Sequence, residues 1–267
     1  MTSVLARALG SAAVLTIMAC LPPPPPHVAV APPAGRTAYQ YSWAQPGSAA
    51  SAPAGLTVTV VNPQWAQDSI VLQQSYKNFA AGFSNSLAAD LDKQLVAKGV
   101  KVSGPYATYD DITYPDKRAA EYALTPVVFL TASIKWGTPV PVGSGGAVDY
   151  IERKFSLTAQ GFVEFVLVEP LSRQKLWVKK LELEPQSIEG VEAYAANVVS
   201  DPTTGQPIRT DVGPMLYDGK QDAMADAMTR WYPIIAEKAW TYLNTDEMTA
   251  LKPQVVEIRE HSGSIIH

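Results

Sequence analysis

Between Val127 and Leu167 apolar residues return at every second position, and a chain with that period has to build a sheet. Val128, Leu130, Ala132, Ile134 and Trp136 alternate with Thr131, Ser133 and Lys135, and Phe155, Leu157, Ala159, Gly161, Val163, Phe165 and Leu167 alternate with Ser156, Thr158, Gln160 and Glu164. Period two sends successive side chains to opposite faces, so each run has one apolar face to bury. Leu176 to Leu183 makes a third run after a turn at Glu169 to Gln174. Three successive strands joined by loops predict an antiparallel meander with one buried face.

Upstream, Thr57 to Val61 is β-branched throughout and ends at Asn62-Pro63, which reads as a strand. A helix of roughly 30 residues, about 45 Å long, is then expected from Asp68 or Ser69 as N-cap to Gly99 as stop. Its apolar stripe is Leu72, Tyr76, Phe79, Phe83, Leu87, Leu91 and Leu95. Val100 to Ser103 is a short second strand, compatible with parallel pairing through a right-handed crossover. Tyr106 to Tyr114 is turn-like and Pro115 to Ala123 a short helix; Asp110-Asp111 lacks the spaced ligand set of a calcium loop and reads as solvated turn charge. Glu184 to Gly219, broken by Asp201-Pro202, Thr204-Gly205 and Gly213-Pro214, is expected to be a long loop. A last helix runs from Gly219 or Lys220 to Leu243, with Met224, Met228, Trp231, Ile235 and Tyr242 on one face and Pro233 kinking or interrupting it. The fold class is thus α+β: one sheet of about five strands (β-α-β, short helix, three-strand meander) with a long helix and a C-terminal helix packed on it. Residues 56–243 form the domain, and 244–267 are expected to be a weakly ordered tail.

The N-terminus places Arg7 before an apolar run, Ala8 to Met18, that is too short to span a bilayer. The run ends at the small residue Ala19 and the chain's one cysteine, Cys20. Ile17-Met18-Ala19-Cys20 resembles the lipobox of bacterial lipoproteins. That resemblance implies cleavage after residue 19 and acylation at Cys20, with Leu21 in place of Asp directing the product to the outer membrane. Several acyl chains anchor stably where one does not. Residues 20–55 then form the lipidated tether. It carries nine prolines from residue 21 onward, five of them consecutive at Pro22 to Pro26, a composition that favours extended polyproline II and coil. Tyr39, Tyr41 and Trp43 are unusual in a tether, and either the folded domain or the headgroup interface could receive them.

Composition removes several function classes. Lys and Arg number 21 against 25 Asp and Glu, which disfavours nucleic-acid binding because that needs a concentrated basic face. A single cysteine allows no intrachain disulfide, so stability has to come from an apolar core, which a chain 47% hydrophobic can build. The three histidines, His27, His261 and His267, fall in the tether and tail. With Cys20 acylated, Ser/His/Asp catalysis, Cys/His catalysis and Cys/His zinc sites lack members. Neither a phosphate-binding glycine loop nor a cofactor is expected. Carboxylate pairs such as Glu164 with Glu169 or Glu182 remain formally open, against the commoner reading of charges on exposed strand faces. The chain is expected not to be an enzyme.

Leu56 to Pro63, the helix bearing Tyr76, Phe79 and Leu95 and ending at Gly99-Val100-Lys101-Val102, Gly161-Phe162-Val163, Glu169-Pro170-Leu171-Ser172, and Asp222-Ala223 opening the last helix together resemble the neuraminyllactose-binding haemagglutinin family. The resemblance covers about residues 56 to 243. It implies an outer-membrane or surface lipoprotein, associated in some members with a flagellar sheath and described as a sialoglycan-binding adhesin. The family's basic determinant between the two middle strands has no counterpart, since Gly137 to Asp149 contains no Lys or Arg. Gly143-Ser144-Gly145-Gly146 could donate backbone N–H groups or simply turn a hairpin. Trp136 at the edge of this loop is the candidate ligand-binding residue, with packing in the sheet as the alternative. Three functions are carried forward: a lipid-anchored binding or adhesion module with a glycan or envelope protein as partner, a periplasm-facing accessory lipoprotein that scaffolds or regulates an envelope machine, and, last, an unrecognised hydrolase.

Overall fold

The computed structural model describes residues 29–36, 39–44, 46, 52–144, 147–204 and 207–263. Cys20, the signal segment and Pro22 to Pro26 lie outside the described residues. The β-branched run forms β1 (Thr57–Val61), with its last four residues buried, followed by the two-residue β2 (Gln64–Trp65). The long helix is broken in two, α1 (Ile70–Ser75) and α2 (Lys77–Ala97), because Tyr76 leaves helical geometry at φ −127° and ψ 49°. Ser69 does not cap it; its hydroxyl exchanges hydrogen bonds with the backbone N–H and carbonyl of Leu130, fastening the helix start to the sheet. Gly99 stops α2 as expected, at φ +77°, where a side chain would be strained. β3 (Lys101–Tyr106) and α3 (Tyr114–Ala119) follow, the latter capped by the Thr113 hydroxyl accepting the Asp116 N–H.

The meander is longer than the apolar runs suggest. It consists of β4 (Tyr122–Val142), β5 (Tyr150–Val168), β6 (Lys175–Ser200) and β7 (Pro207–Asp218). The expected five-strand sheet is therefore a seven-stranded one in the order β3-β1-β4-β5-β6-β7, with β2 also on β4. β1 pairs in parallel with both β3 and β4, and every neighbour from β4 to β7 is antiparallel. The expected loop from Glu184 to Gly219 is instead the far half of β6 together with β7. Pro185 falls in a bulge where the β5–β6 register slips between Gly161 and Ala159, and Trp231 Nε1 donates to the Glu184 carbonyl there at 2.9 Å. Pro139 and Pro141 are tolerated in β4 because, among the described residues, its far half pairs only with β5 and a free edge needs no N–H.

α4 (Lys220–Tyr242) runs through Pro233 as one helix. Together with α2 it covers one face of the sheet, enclosing Phe79, Phe83, Leu91, Phe155, Phe165, Met228 and Trp231 among others. Asp90, 6% exposed, accepts the Tyr232 hydroxyl at 2.6 Å, and Gln94 Nε2 donates to the Ala236 carbonyl at 2.9 Å. Buried polar bonds of this kind set the register of α2 on α4. The other face holds a smaller cluster of Val61, Ile112, Ala123, Val166 and Val168. The turn charges there are engaged: Asp110 pairs with Arg173, and Asp111 caps Thr108 at 2.8 Å.

Both ends of the domain extend beyond the expected boundaries. The residues after 243 form α5 (Thr245–Ala250) and α6 (Lys252–Gly263) in place of a weakly ordered tail. Met248, Val255 and Ile258 are buried, and Arg259 reaches Glu169, a carboxylate with no exposure, at 2.8 Å. In the segment expected to be a tether, residue 36 and residues 39 to 43 lie along α4 in the same direction. Arg36 pairs with Asp226, the Tyr39 hydroxyl donates to Asp222 at 2.6 Å, the Tyr41 ring stacks on Tyr232 at 5.3 Å, and Trp43 meets Trp240 at 6.1 Å. This strap is part of the core, since Tyr39 and Tyr41 are each 8% exposed. Among the described residues no helix is long and apolar enough to cross a membrane.

Candidate ligand-binding surface at Trp136

Trp136 continues the core-facing alternation of β4 to the point where the covering helices end. Its cross-strand partner is Phe155, fully buried, and the two rings meet edge to face with centroids 5.4 Å apart. The indole is nevertheless 37% exposed. Trp136 thus packs in the sheet by one edge, closing the core, while the rest of the ring faces out. Immediately after it the β4–β5 register slips between Trp136 and Pro139. That irregularity lets Arg153 from β5 donate Nε to the Gly137 carbonyl at 3.3 Å and lay its guanidinium over the indole, 4.5 Å from the ring centroid.

A second cation comes from α4. Lys220 Nζ lies 5.5 Å from the same ring and bonds to Glu192, 1% exposed, and to Asp218 at 3.1 Å. Burial works to lower the Lys220 pKa, but its hydrogen bonds to Glu192 and Asp218 outweigh that and hold it above the ordinary lysine value. The Tyr194 hydroxyl donates to the other Glu192 oxygen, and burial followed by that bond pushes the phenol up. The break at Tyr76 brings a second phenol within range of these charges, and burial raises its pKa. Lys220 is therefore neutralised by two carboxylates, whereas Arg153 presents its guanidinium on the indole.

Lys135 and Lys154 occupy positions that alternate to the opposite face. With Ser156 and Glu189 they help line a shallow depression of about 270 Å³. The loop between the middle strands lacks basic residues, while Lys135, Arg153 and Lys154 flank that loop on the paired strands and Lys220 arrives from a helix more than 60 residues further along the chain. Sequence reasoning singled out Trp136 and missed its cations. The signal was present in Arg153-Lys154, which the β4–β5 pairing sets against Gly137 and Pro139.

Of the carboxylates named as formal catalytic pairs, Glu169 and Glu182 are engaged, Glu182 with Lys180 at 2.7 Å. Glu169 accepts the N–H groups of Leu171 and Ser172 at 2.9 and 2.6 Å and the Arg259 Nε at 2.8 Å, which fixes the β5–β6 turn to the C-terminal helix. Among the described residues no group of three or more His, Cys, Asp or Glu is arranged to hold a metal ion. His261 Nδ1 lies 2.8 Å from the Glu257 carbonyl within α6.

No family model matches the sequence, and no curated protein matches it. Among solved structures, rare lipoprotein B from Shewanella oneidensis aligns at 15% identity and a TM-score of 0.23, over 72% of this chain and 98% of that one. A minor lipoprotein from Acinetobacter baumannii aligns at 13% identity and a TM-score of 0.24, over 70% of this chain and 93% of that one. A protein from Helicobacter pylori assigned as a neuraminyllactose-binding hemagglutinin homolog aligns at 16% identity and a TM-score of 0.51, covering 82% of this chain and 99% of that one. The resemblance carried by the sequence motifs holds at the level of the fold: this chain has an α+β architecture similar to that of the H. pylori protein.

Proposed function

We propose that this chain is an outer-membrane lipoprotein, anchored through acylation of Cys20, whose domain binds an anionic glycan at the Trp136–Arg153 edge of its sheet without turning it over. The observation that carries the reading is the arginine-capped indole, half exposed at the end of the core. An indole offers an apolar face to the C–H groups of a pyranose, and a guanidinium fork matches a carboxylate. Support for the anchor comes from Ile17-Met18-Ala19-Cys20 and the proline-rich segment after it. Support for a sialylated ligand comes from the fold shared with the H. pylori protein. Binding without catalysis is supported by the commitment of the buried carboxylates Asp90, Glu169 and Glu192 to structural partners.

The test is a titration of the soluble Cys20→Ala chain with 3′-sialyllactose, followed by tryptophan fluorescence. Saturable binding is expected, with at least a tenfold loss in Arg153→Ala, a change of about 1.4 kcal/mol or more, and no binding of lactose, which lacks the carboxylate. Binding unchanged in both Trp136→Ala and Arg153→Ala would refute the site. A second reading, a periplasm-facing scaffold, is favoured by the outer strand β7, which exposes Ile208, Val212, Met215 and Leu216 along an edge that could accept another strand. Protease added to intact cells separates the two: protection until the outer membrane is permeabilised favours the scaffold.

A further inference from the structure

The strap determines which end of the domain points toward its anchor. From Trp43 at the C-terminal half of α4 the chain runs back past Tyr41, Tyr39 and Arg36 to the start of that helix. Gly35 lies against Tyr217 of β7, and Val30 donates its N–H to Asp149 Oδ2 at 3.0 Å, beside the first residue of β5. The described chain therefore begins at the far end of the sheet, where the β4–β5 hairpin turns. Ten residues separate Val30 from Cys20, and ten residues span at most about 35 Å.

At that same end β6 and β7 continue alone. The β5–β6 pairing stops at Tyr150 and Ala195, while β6 and β7 remain paired out to Ser200 and Pro207. The five residues Ala196 to Ser200 overhang the sheet by about 17 Å. This two-stranded finger carries exposed Val198 (48%), Ile208 (63%) and Val212 (52%), with Val199 beside them. Arg209 is paired with Asp211 at 3.2 Å, so these two charges offset each other. An isolated two-stranded ribbon is marginal in water, and one decorated with aliphatic side chains gains by entering an apolar phase.

We infer that the β6–β7 finger docks on the phospholipid surface to which the chain is anchored, burying Val198, Ile208 and Val212 in the acyl–headgroup boundary. The inference rests on the lipid-anchor reading above. The strap clips the tether to the finger's end of the domain, the remaining reach exceeds the finger's length by only about twofold, and the opposed charges of Arg209 and Asp211 demand no anionic lipid. The opposite pole, with Val96 and Val256, faces away from the bilayer, leaving the Trp136 edge on the flank.

The experiment uses the full-length, processed lipoprotein in vesicles of phosphatidylethanolamine and phosphatidylglycerol containing nitroxide-labelled lipid. Once Cys20 is acylated, an introduced cysteine is the sole free thiol for a fluorescent label. Val198→Cys and Ile208→Cys labels should be quenched at least twofold, and Val96→Cys and Val256→Cys labels should not. Adding Val198→Asp to the Ile208→Cys chain should abolish the quenching, which separates docking from mere proximity. Equal quenching at both poles, or quenching that survives Val198→Asp, overturns the proposal on a chain whose acylation mass spectrometry confirms. An unacylated Cys20 overturns the anchor reading and this inference with it, by a separate readout.

Discussion

Replacing Lys220 with Met tests whether the ion cluster beneath Trp136 holds α4 on the sheet. Lys220 is the cation that bonds Glu192, and Glu192 is 1% exposed while Lys220 is 19% exposed by side chain. The substitution keeps the aliphatic stem but leaves Glu192 with the Tyr194 hydroxyl as its remaining hydrogen-bonded side chain. Removing one member of a buried pair costs about 3–5 kcal/mol, and partial exposure of the ammonium places this case at the low end, about 3 kcal/mol. With a urea slope of about 3 kcal/mol/M for a chain of this size, the midpoint should fall by about 1 M. The double variant Lys220→Met with Glu192→Gln should recover most of the loss, because no buried charge then lacks its counterion. A coupling energy of about 2 kcal/mol in the cycle is expected. The Lys220 pKa is raised above 10.5 in the folded chain, so its contribution is fully present below that pH and is lost as pH rises through the folded value. The gap between wild type and variant should stay constant across neutral pH and close in strong alkali. A midpoint shift under about 0.3 M, or a double variant as unstable as the two single losses combined, would refute the reasoning.

Three further outcomes are expected. Truncation after Leu243 removes the buried Met248 and Val255 and the Arg259 bond to Glu169; at about 1.5–3 kcal/mol per buried side chain it should lower the thermal midpoint by more than 10 °C, and an unchanged melt would show the tail to be dispensable. Gly82→Ala would drive a Cβ into the Tyr39 carbonyl, so the strap should lift and become protease-sensitive, even though alanine favours the helix by about 1 kcal/mol. Tyr217, pushed up to about 12 by burial and then by its hydrogen bond to Asp222, keeps that bond below pH 10 and loses it as pH rises through about 12. Absorbance titration should therefore show Tyr217, with Tyr39 on the same carboxylate, among the late-ionising tyrosines, and that late fraction should move to lower pH in Asp222→Asn while burial keeps it above 10.

The elements with strong periodicity were legible from the chain: β1, the Gly99 stop, the core runs of β4 and β5, and both limits of α4. What was missed has identifiable causes. Tyr76 sits in phase with the apolar stripe, so nothing in the period reveals that its backbone leaves helical geometry. Beyond Pro185 the β6 sequence, Glu189-Gly190-Val191-Glu192-Ala193, has no clean apolar face, since Gly190 lies against the Phe155 ring where a Cβ would clash, while Glu192 is buried by its ion partner. The tail did carry a helix signature, Asn244 with Asp246 and Glu247, a cap whose worth depends on the groove that receives Met248.

By itself the sequence determined local periodicity and the placement of its one cysteine and three histidines outside the strongly periodic runs, because these depend on residue type and near neighbours. It also singled out Trp136. Only the tertiary structure decided that Arg153 and Lys220 meet that ring, that residues 39 to 43 lie along α4 as a strap, and that Val30 and the β6–β7 finger share one end of the molecule. Those facts depend on pairing register and helix placement across separations of 17 to more than 100 residues, set by burial of a common core. Composition and spacing do not encode such distances one residue at a time.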